Sequence, residues 1–177
     1  IGVIDPGVRL AINKTNSQSI GVIGTHATIQ SNSYGEKLKS ISSEINIFNQ
    51  SCPLFVPLVE EGLTKGPITK LIVESYLSHF NNTDIDTLIL GCTHYPILTA
   101  VIKDVVGKNI SLVDSGKATA EAVMIVLKEN KILSGESHGE IHSFITDSKQ
   151  SFQTVITKAL TSEFNISIKS INRIDIG

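Results

Sequence analysis

The sequence predicts an α/β protein built on a largely parallel sheet. Two patterns carry that reading. Short apolar runs, such as Ile-Gly-Val-Ile at residue 20 and Leu-Ile-Leu-Gly at residue 88, alternate with segments of helical periodicity. Each run also stops at a tight turn rich in Gly, Thr or Asp, as buried strands do when they feed crossover helices. The 177 residues, 41% of them hydrophobic, are enough for one ample core or for one core and part of another.

Residues 1–4 read as a core-type strand ending at Asp5-Pro6-Gly7, with a short helix capped by Asp5 after it. Residues 19–24 form the next strand, and a polar helical stretch covers 30–41. A weaker strand at 44–48 leads into a loop over 52–62, CPLFVPLVEEG. Pro67, at a favoured first helical position, opens a helix with Ile68, Leu71, Ile72, Tyr76 and Phe80 on one face. A buried strand spans 86–91, a helix follows Pro96, a strand covers 110–113 and a helix 118–128. After a polar loop at 130–140, the tail reads as strand 141–146, helix 152–160 and an alternating strand over 166–174. The chain begins directly on an apolar run with no initiator methionine, as a sequence starting in mid-protein would.

The most informative residues are Ile89 to Pro96, ILGCTHYP. Apolar positions at Ile97, Leu98, Val101, Ile102, Val105 and Val106 continue with helical spacing. Cys92 therefore stands at the carboxyl end of a strand and ahead of a helix, on the edge where open α/β sheets bind ligands. Free N–H groups and the helix dipole there favour a carboxylate ligand and a thiolate. A lone cysteine in such a turn is often just a small buried side chain. The polar pair Thr93-His94 beside it tips the reading towards a site.

Bulk properties narrow the class. Net charge is −2 with no basic cluster, which argues against nucleic acid as a partner. No apolar stretch has membrane-spanning length and no secretory leader pattern is present. Two cysteines, Cys52 and Cys92, fit a reduced, cytoplasmic setting better than a disulfide framework. The spacing Cys92-x-His94 is too tight for a zinc site, and the glycine turns lack the Gly-x-Gly-x-x-Gly order of a dinucleotide site. His26, His79, His138 and His142 show no partner pattern.

Four blocks together resemble the second half of bacterial glutamate racemases, within the aspartate/glutamate racemase family. They are IGVIDPG at 1–7, GVIGTHATIQSNSY at 21–34, CPLFVPLVEEG at 52–62 and ILGCTHYP at 89–96, with Asp114-Ser115-Gly116 as a smaller fifth. The resemblance implies a parallel-sheet α/β sandwich: residues 1–114 as one complete domain, and 115–177 as part of a second whose first half is absent. The family's upstream Asp-Ser-Gly and Cys-Asn-Thr-Ala motifs are not matched by position, and neither Asp5 nor Asp114 takes over the role of the first.

The chemistry implied is cofactor-independent inversion at the α-carbon of glutamate, supplying the D-isomer for peptidoglycan. One thiolate removes the α-proton and a thiol on the opposite face returns one. Cys92 is implied as one of the two, with His94 shuttling or steadying its proton and also meeting the substrate. Thr93 would offer its N–H and hydroxyl, and Thr25 and Thr28 would support the substrate carboxylate as well as capping a helix. Glu60, rather than Glu61, is the carboxylate expected to orient His94. Cys52, among Pro53, Leu54, Phe55 and Val56, reads as structural, buried and distant from the site. The resemblance admits a homodimer, since oligomeric state varies in the family. Two other classes compete: a cysteine hydrolase or amidase using Cys92, His94 and Glu60, and a non-catalytic module that binds an amino acid.

Overall fold

The computed structural model describes residues 1–135, 140–146 and 168–175. The main sheet has four parallel strands in the order β2-β1-β3-β4: β1 (Ser19–Gly24), β2 (Asn46–Ser51), β3 (Thr87–Leu90) and β4 (Ser111–Asp114). The two central strands are buried along their whole length. That is why their sequences read as continuous apolar runs instead of alternating.

Alternation still divides those runs between two cores. Ile20 and Val22 of β1 and Ile89 of β3 join Val8, Ala11, Tyr34, Leu38 and Val113 on one face. Ile23, Leu88 and Leu90 face the other way, into a larger cluster with Phe55, Val73, Leu77, Tyr95 and Ile102. The first face is covered by α1 (Ile4–Lys14), α3 (Ser33–Ile41) and α7 (Ser115–Glu129). The second is covered by α4 (Phe55–Glu60), α5 (Pro67–Leu77) and α6 (Thr99–Val106). A five-residue helix, α2 (His26–Gln30), follows β1 directly.

Several elements depart from the sequence reading. Residues 1–4 are not a strand, because α1 begins at Ile4. Its first-turn N–H groups have no intrahelical acceptor, so Pro6 is tolerated there, and short apolar runs do not by themselves separate helix from strand. Asp5 is not the cap but a first-turn residue, 2.5 Å from Lys37 Nζ and 3.6 Å from Arg9 Nε. The weak second strand begins at Asn46 and runs on to Ser51. The expected loop over 52–62 contains α4, with Glu60 as its last residue.

The clearest predicted helix is present but rotated. Ile68 and Leu71 are 63% and 67% exposed, and the buried face is Thr69, Val73 and Leu77. Two contacts set the rotation. Thr69 Oγ1 donates to the Leu63 carbonyl at 3.0 Å, and Tyr76 meets Phe55 edge to face at 5.6 Å between centroids. With apolar residues on both flanks of the helix, periodicity alone left the rotation open.

The amino ends of the strands are tied together at Asp86. Its carboxylate accepts from Thr15 Oγ1 (2.6 Å), the amides of Asn16 (2.7 Å) and Ser17 (2.8 Å), and Thr87 Oγ1 (3.0 Å). Burial pushes its pKa up, but these bonds outweigh it and leave the carboxyl at about 2.

In the tail, β5 (Ile141–Ile145) and β6 (Ile168–Arg173) pair in parallel as a second, two-stranded sheet. Reading 115–177 as part of an incomplete domain predicts strands that lack partners or find them in another chain; β5 and β6 instead pair with each other. Glu140 lies 2.5 Å from Lys169 Nζ and 3.5 Å from His142 Nε2, a cluster that the sequence did not signal. The helix expected at 152–160 and His138 lie outside the described residues.

Candidate active site

The order β2-β1-β3-β4 makes β1 and β3 neighbours whose onward connections diverge, which opens a crevice at their carboxyl ends. Thr25 follows β1 and Cys92 follows β3 across that crevice. Gly91 allows the close approach. A Cβ there would lie 2.8 Å from the Ile23 carbonyl oxygen, 3.1 Å from Tyr34 Cε2 and 3.4 Å from Thr28 Cγ2. Its N–H instead donates to Ile23 O at 2.8 Å, prolonging the ladder to the residue before Cys92.

Cys92 is half-buried, and the turn after it is a short 3₁₀ segment, Tyr95–Leu98, not the start of an α-helix. The expected bias towards thiolate is therefore reversed in this arrangement. Burial pushes the Cys92 thiol up, and the N–H groups of His94, Tyr95 and Thr93 offset that only in part. Tyr95 anchors the turn: its ring is fully buried, stacks edge to face on Phe55 at 5.1 Å, and its hydroxyl donates to the Cys52 carbonyl at 2.9 Å.

That anchor explains how α4 enters the site. Phe55 at its start locks the helix against Tyr95, so Glu60 at its end comes to His94. His94 Nε2 lies 3.8 Å from Glu60 Oε1, while Nδ1 is 4.0 Å from Cys92 Sγ and 3.4 Å from Thr93 Oγ1. The imidazole thus stands between thiol and carboxylate at distances longer than good hydrogen bonds, as unliganded sites often show. Glu60 is exposed, and it is Glu60 rather than Glu61 that reaches the ring.

Thr25 caps α2, accepting from the Thr28 amide at 3.3 Å, and the two hydroxyls are 3.1 Å apart. Thr28 also packs against Gly24, so both threonines stand at the same sheet edge as Cys92. Cys52 is buried as expected, and burial raises its thiol to about 12. It is not remote, however: through the Tyr95 bond its backbone braces the Cys92 turn. Asp114 caps α7, accepting from the Gly116 and Lys117 amides at 2.8 and 3.2 Å. The residues that sequence reasoning missed are the buried braces: Tyr95, and Tyr34 paired with Ser115. Their signal was present only as aromatic or hydroxyl residues inside blocks read for other positions. Among the described residues no group of three or more His, Cys, Asp or Glu could hold a metal ion, and no helix is long and apolar enough to cross a membrane.

Known proteins resemble this chain in sequence and in fold. The chain is 44% identical over 174 residues to the glutamate racemase of Persephonella marina, covering 98% of this chain and 64% of that protein. It is 41% identical to the glutamate racemase of Chlorobium phaeobacteroides, covering 92% of this chain and 60% of that one. Among solved structures, it is similar to a glutamate racemase isoform from Bacillus anthracis, with a TM-score of 0.89 and 35% identity over 99% of this chain and 64% of that chain. A glutamate racemase from Francisella tularensis, solved in complex with D-glutamate, gives a TM-score of 0.85 and 32% identity, covering 98% of this chain and 62% of that one. The chain spans about three fifths of the length of these relatives. The family model for Asp/Glu/Hydantoin racemases matches residues 1–123, the whole four-stranded sheet with Cys92 at its carboxyl edge. The chain belongs to the Asp/Glu/Hydantoin racemase family.

Proposed function

We propose that these residues carry one half of the proton-transfer machinery of a glutamate racemase, a cofactor-independent isomerase that supplies D-glutamate for peptidoglycan. The observation that carries the proposal is Cys92 at the crevice between β1 and β3, with His94 between its sulfur and Glu60. Similarity to glutamate racemases along nearly all of this chain supports the choice of glutamate over other substrates.

Cys92 as thiolate takes the α-proton of the substrate: the C–H bond breaks, an S–H bond forms, and the electron pair stays on the α-carbon. A second thiol on the opposite face then protonates that carbon. His94 holds or passes the Cys92 proton, and Glu60 limits the rotation of the imidazole. Substrate binding that excludes water from the half-buried thiol must be matched by stabilisation of the thiolate. The N–H groups of Thr93, His94 and Tyr95, which already face the sulfur, provide it. Thr25, Thr28 and Thr93 supply polar contacts for the substrate carboxylate.

The second acid/base group comes, in this proposal, from polypeptide outside the 177 residues. Cys52 is buried and inert. Residues 1–114, with the start of α7 packed on α1, act as one lobe, and the rest of 115–177 belongs to a second lobe completed by that further polypeptide. The exposed side chains of Met124, Ile125 and Phe144 support this division. A hydrolase using the same three residues is the weaker reading, because His94 rides on the same turn as the nucleophile, which leaves little freedom to serve a leaving group.

The test is α-proton exchange from L-glutamate in deuterated water, followed together with optical rotation. The 177-residue chain alone is expected not to invert glutamate at a useful rate. Joining it to the part of a relative that it does not match should establish inversion. Full racemase activity from the short chain alone would falsify the two-thiol assignment.

A further inference from the structure

Behind the Cys92 turn lies a buried polar pair that packing alone does not require. Tyr34, on α3, puts its hydroxyl 3.0 Å from Ser115 Oγ at the start of α7, and both residues are buried. Phenylalanine and alanine would fill the same space without desolvating two hydroxyls. Both neighbours are cut away to admit the pair. A Cβ on Gly91 would stand 3.1 Å from the edge of the Tyr34 ring, and a Cβ on Gly7 would stand 2.6 Å from Ser115 Oγ. The ring therefore lies flush against the residue preceding Cys92, and Ser115 sits where α1 comes closest to α7.

We propose that Tyr34 is a positioning residue for Cys92: its ring backs the Gly91–Cys92 peptide, and the bond from its hydroxyl to Ser115 holds the ring in that place. Electrostatics agrees with that proximity. Burial raises the Tyr34 phenol, the bond to Ser115 partly offsets this, and negative charge on Cys92 raises it further. The turn that the ring backs carries the Thr93, His94 and Tyr95 N–H groups that favour the Cys92 thiolate, so the placement of the ring bears on the balance between thiol and thiolate. Ser115 opens the helix that leads into the tail, so the same bond links the position of α7 to the state of the thiol.

This inference rests on the racemase reading for its purpose, but its test does not need racemase activity. The 177-residue chain is alkylated with iodoacetamide across a pH series, and modification of Cys92 is read by peptide mass. Cys52, buried and with its thiol raised to about 12, serves as the internal blank. Tyr34→Phe removes one oxygen and keeps the ring. It should move the midpoint of the Cys92 profile upwards by about half a pH unit, because the turn whose N–H groups favour the thiolate loses its fixed backing. Ser115→Ala deletes the same bond from the other side and should give a shift of the same sign. The double variant should move little beyond either single one. Superimposable profiles for Tyr34→Phe and wild type, or fully additive shifts in the double variant, overturn the proposal. If Tyr34→Phe fails to fold, the Ser115→Ala profile decides alone, with an unmoved midpoint counting against it. Loss of exchange in the completed enzyme with the thiol shift intact would remove the racemase reading and leave this one standing.

Discussion

The two ends of the central sheet are built on opposite terms. At the amino end, Asp86 accepts four hydrogen bonds of 2.6–3.0 Å and ties the α1–β1 connection to β3. At the carboxyl end, His94 makes only long contacts, 3.8 Å to Glu60 and 4.0 Å to Cys92. One end is a saturated, rigid knot. The other is an open array whose contacts have room to tighten around a substrate. Polar groups are satisfied at the end that ties the strands together, and held close but left unspent at the candidate site. The two cysteines repeat the contrast within one core: Cys52 is sealed and raised to about 12, whereas Cys92 is half-buried at the crevice.

The sharpest way to break this comparison is to remove the thiol at the open end. In the completed protein, Cys92→Ala should lower α-proton exchange by about a thousandfold or more, with the urea midpoint nearly unchanged. Cys52→Ala should do the reverse, costing about 1–3 kcal/mol of stability while leaving exchange within a few fold. Equal activity losses for the two would end the distinction between them.

Next in size is the knot. The Asp86 carboxyl titrates at about 2 in the folded chain against an ordinary value of 3.8, so the ionised form is favoured by folding. Its contribution is present above the ordinary value and is lost as pH falls from about 4 towards 2. Asp86→Asn should therefore cost about 1–2 kcal/mol near neutral pH and flatten the acid limb of the stability curve, without moving the Cys92 alkylation profile. A flat wild-type acid limb in urea titrations at stepped pH would contradict it.

Smaller effects test the looseness of the open end. Glu60 is largely exposed and outside hydrogen-bond distance, so Glu60→Gln should slow exchange about tenfold or less and leave the melting temperature alone. A loss as large as that of Cys92→Ala would mean that Glu60 touches the reacting atoms. The smallest change belongs to the outer face of α5, where Leu71 is 67% exposed. Leu71→Lys should stay within about 0.5 kcal/mol of wild type, whereas Val73→Ala on the buried side should cost about 1–3 kcal/mol. Reversed magnitudes in denaturant titration would restore the helix face that periodicity suggested.

Sequence patterns carried the strands and the grouping of Cys92 with His94 a long way. Apolar runs at β1 and β3 are legible because a strand buried on both faces has no alternative composition, and ILGCTHYP is legible because a thiol and an imidazole on one strand-end turn serve no packing need. Tertiary structure decided what local pattern leaves degenerate. IGVI at residue 20 is a central strand, while the same four residues at 1–4 are exposed or enter a helix, since only partners distinguish the two. The rotation of α5 was set by Thr69 and Tyr76 finding acceptors and rings elsewhere in the chain. The protonation of Cys92 was decided the same way. A strand-end position promised a stabilised thiolate, but burial and a 3₁₀ turn oppose it, and desolvation is a property of everything packed around an atom rather than of its place in the sequence.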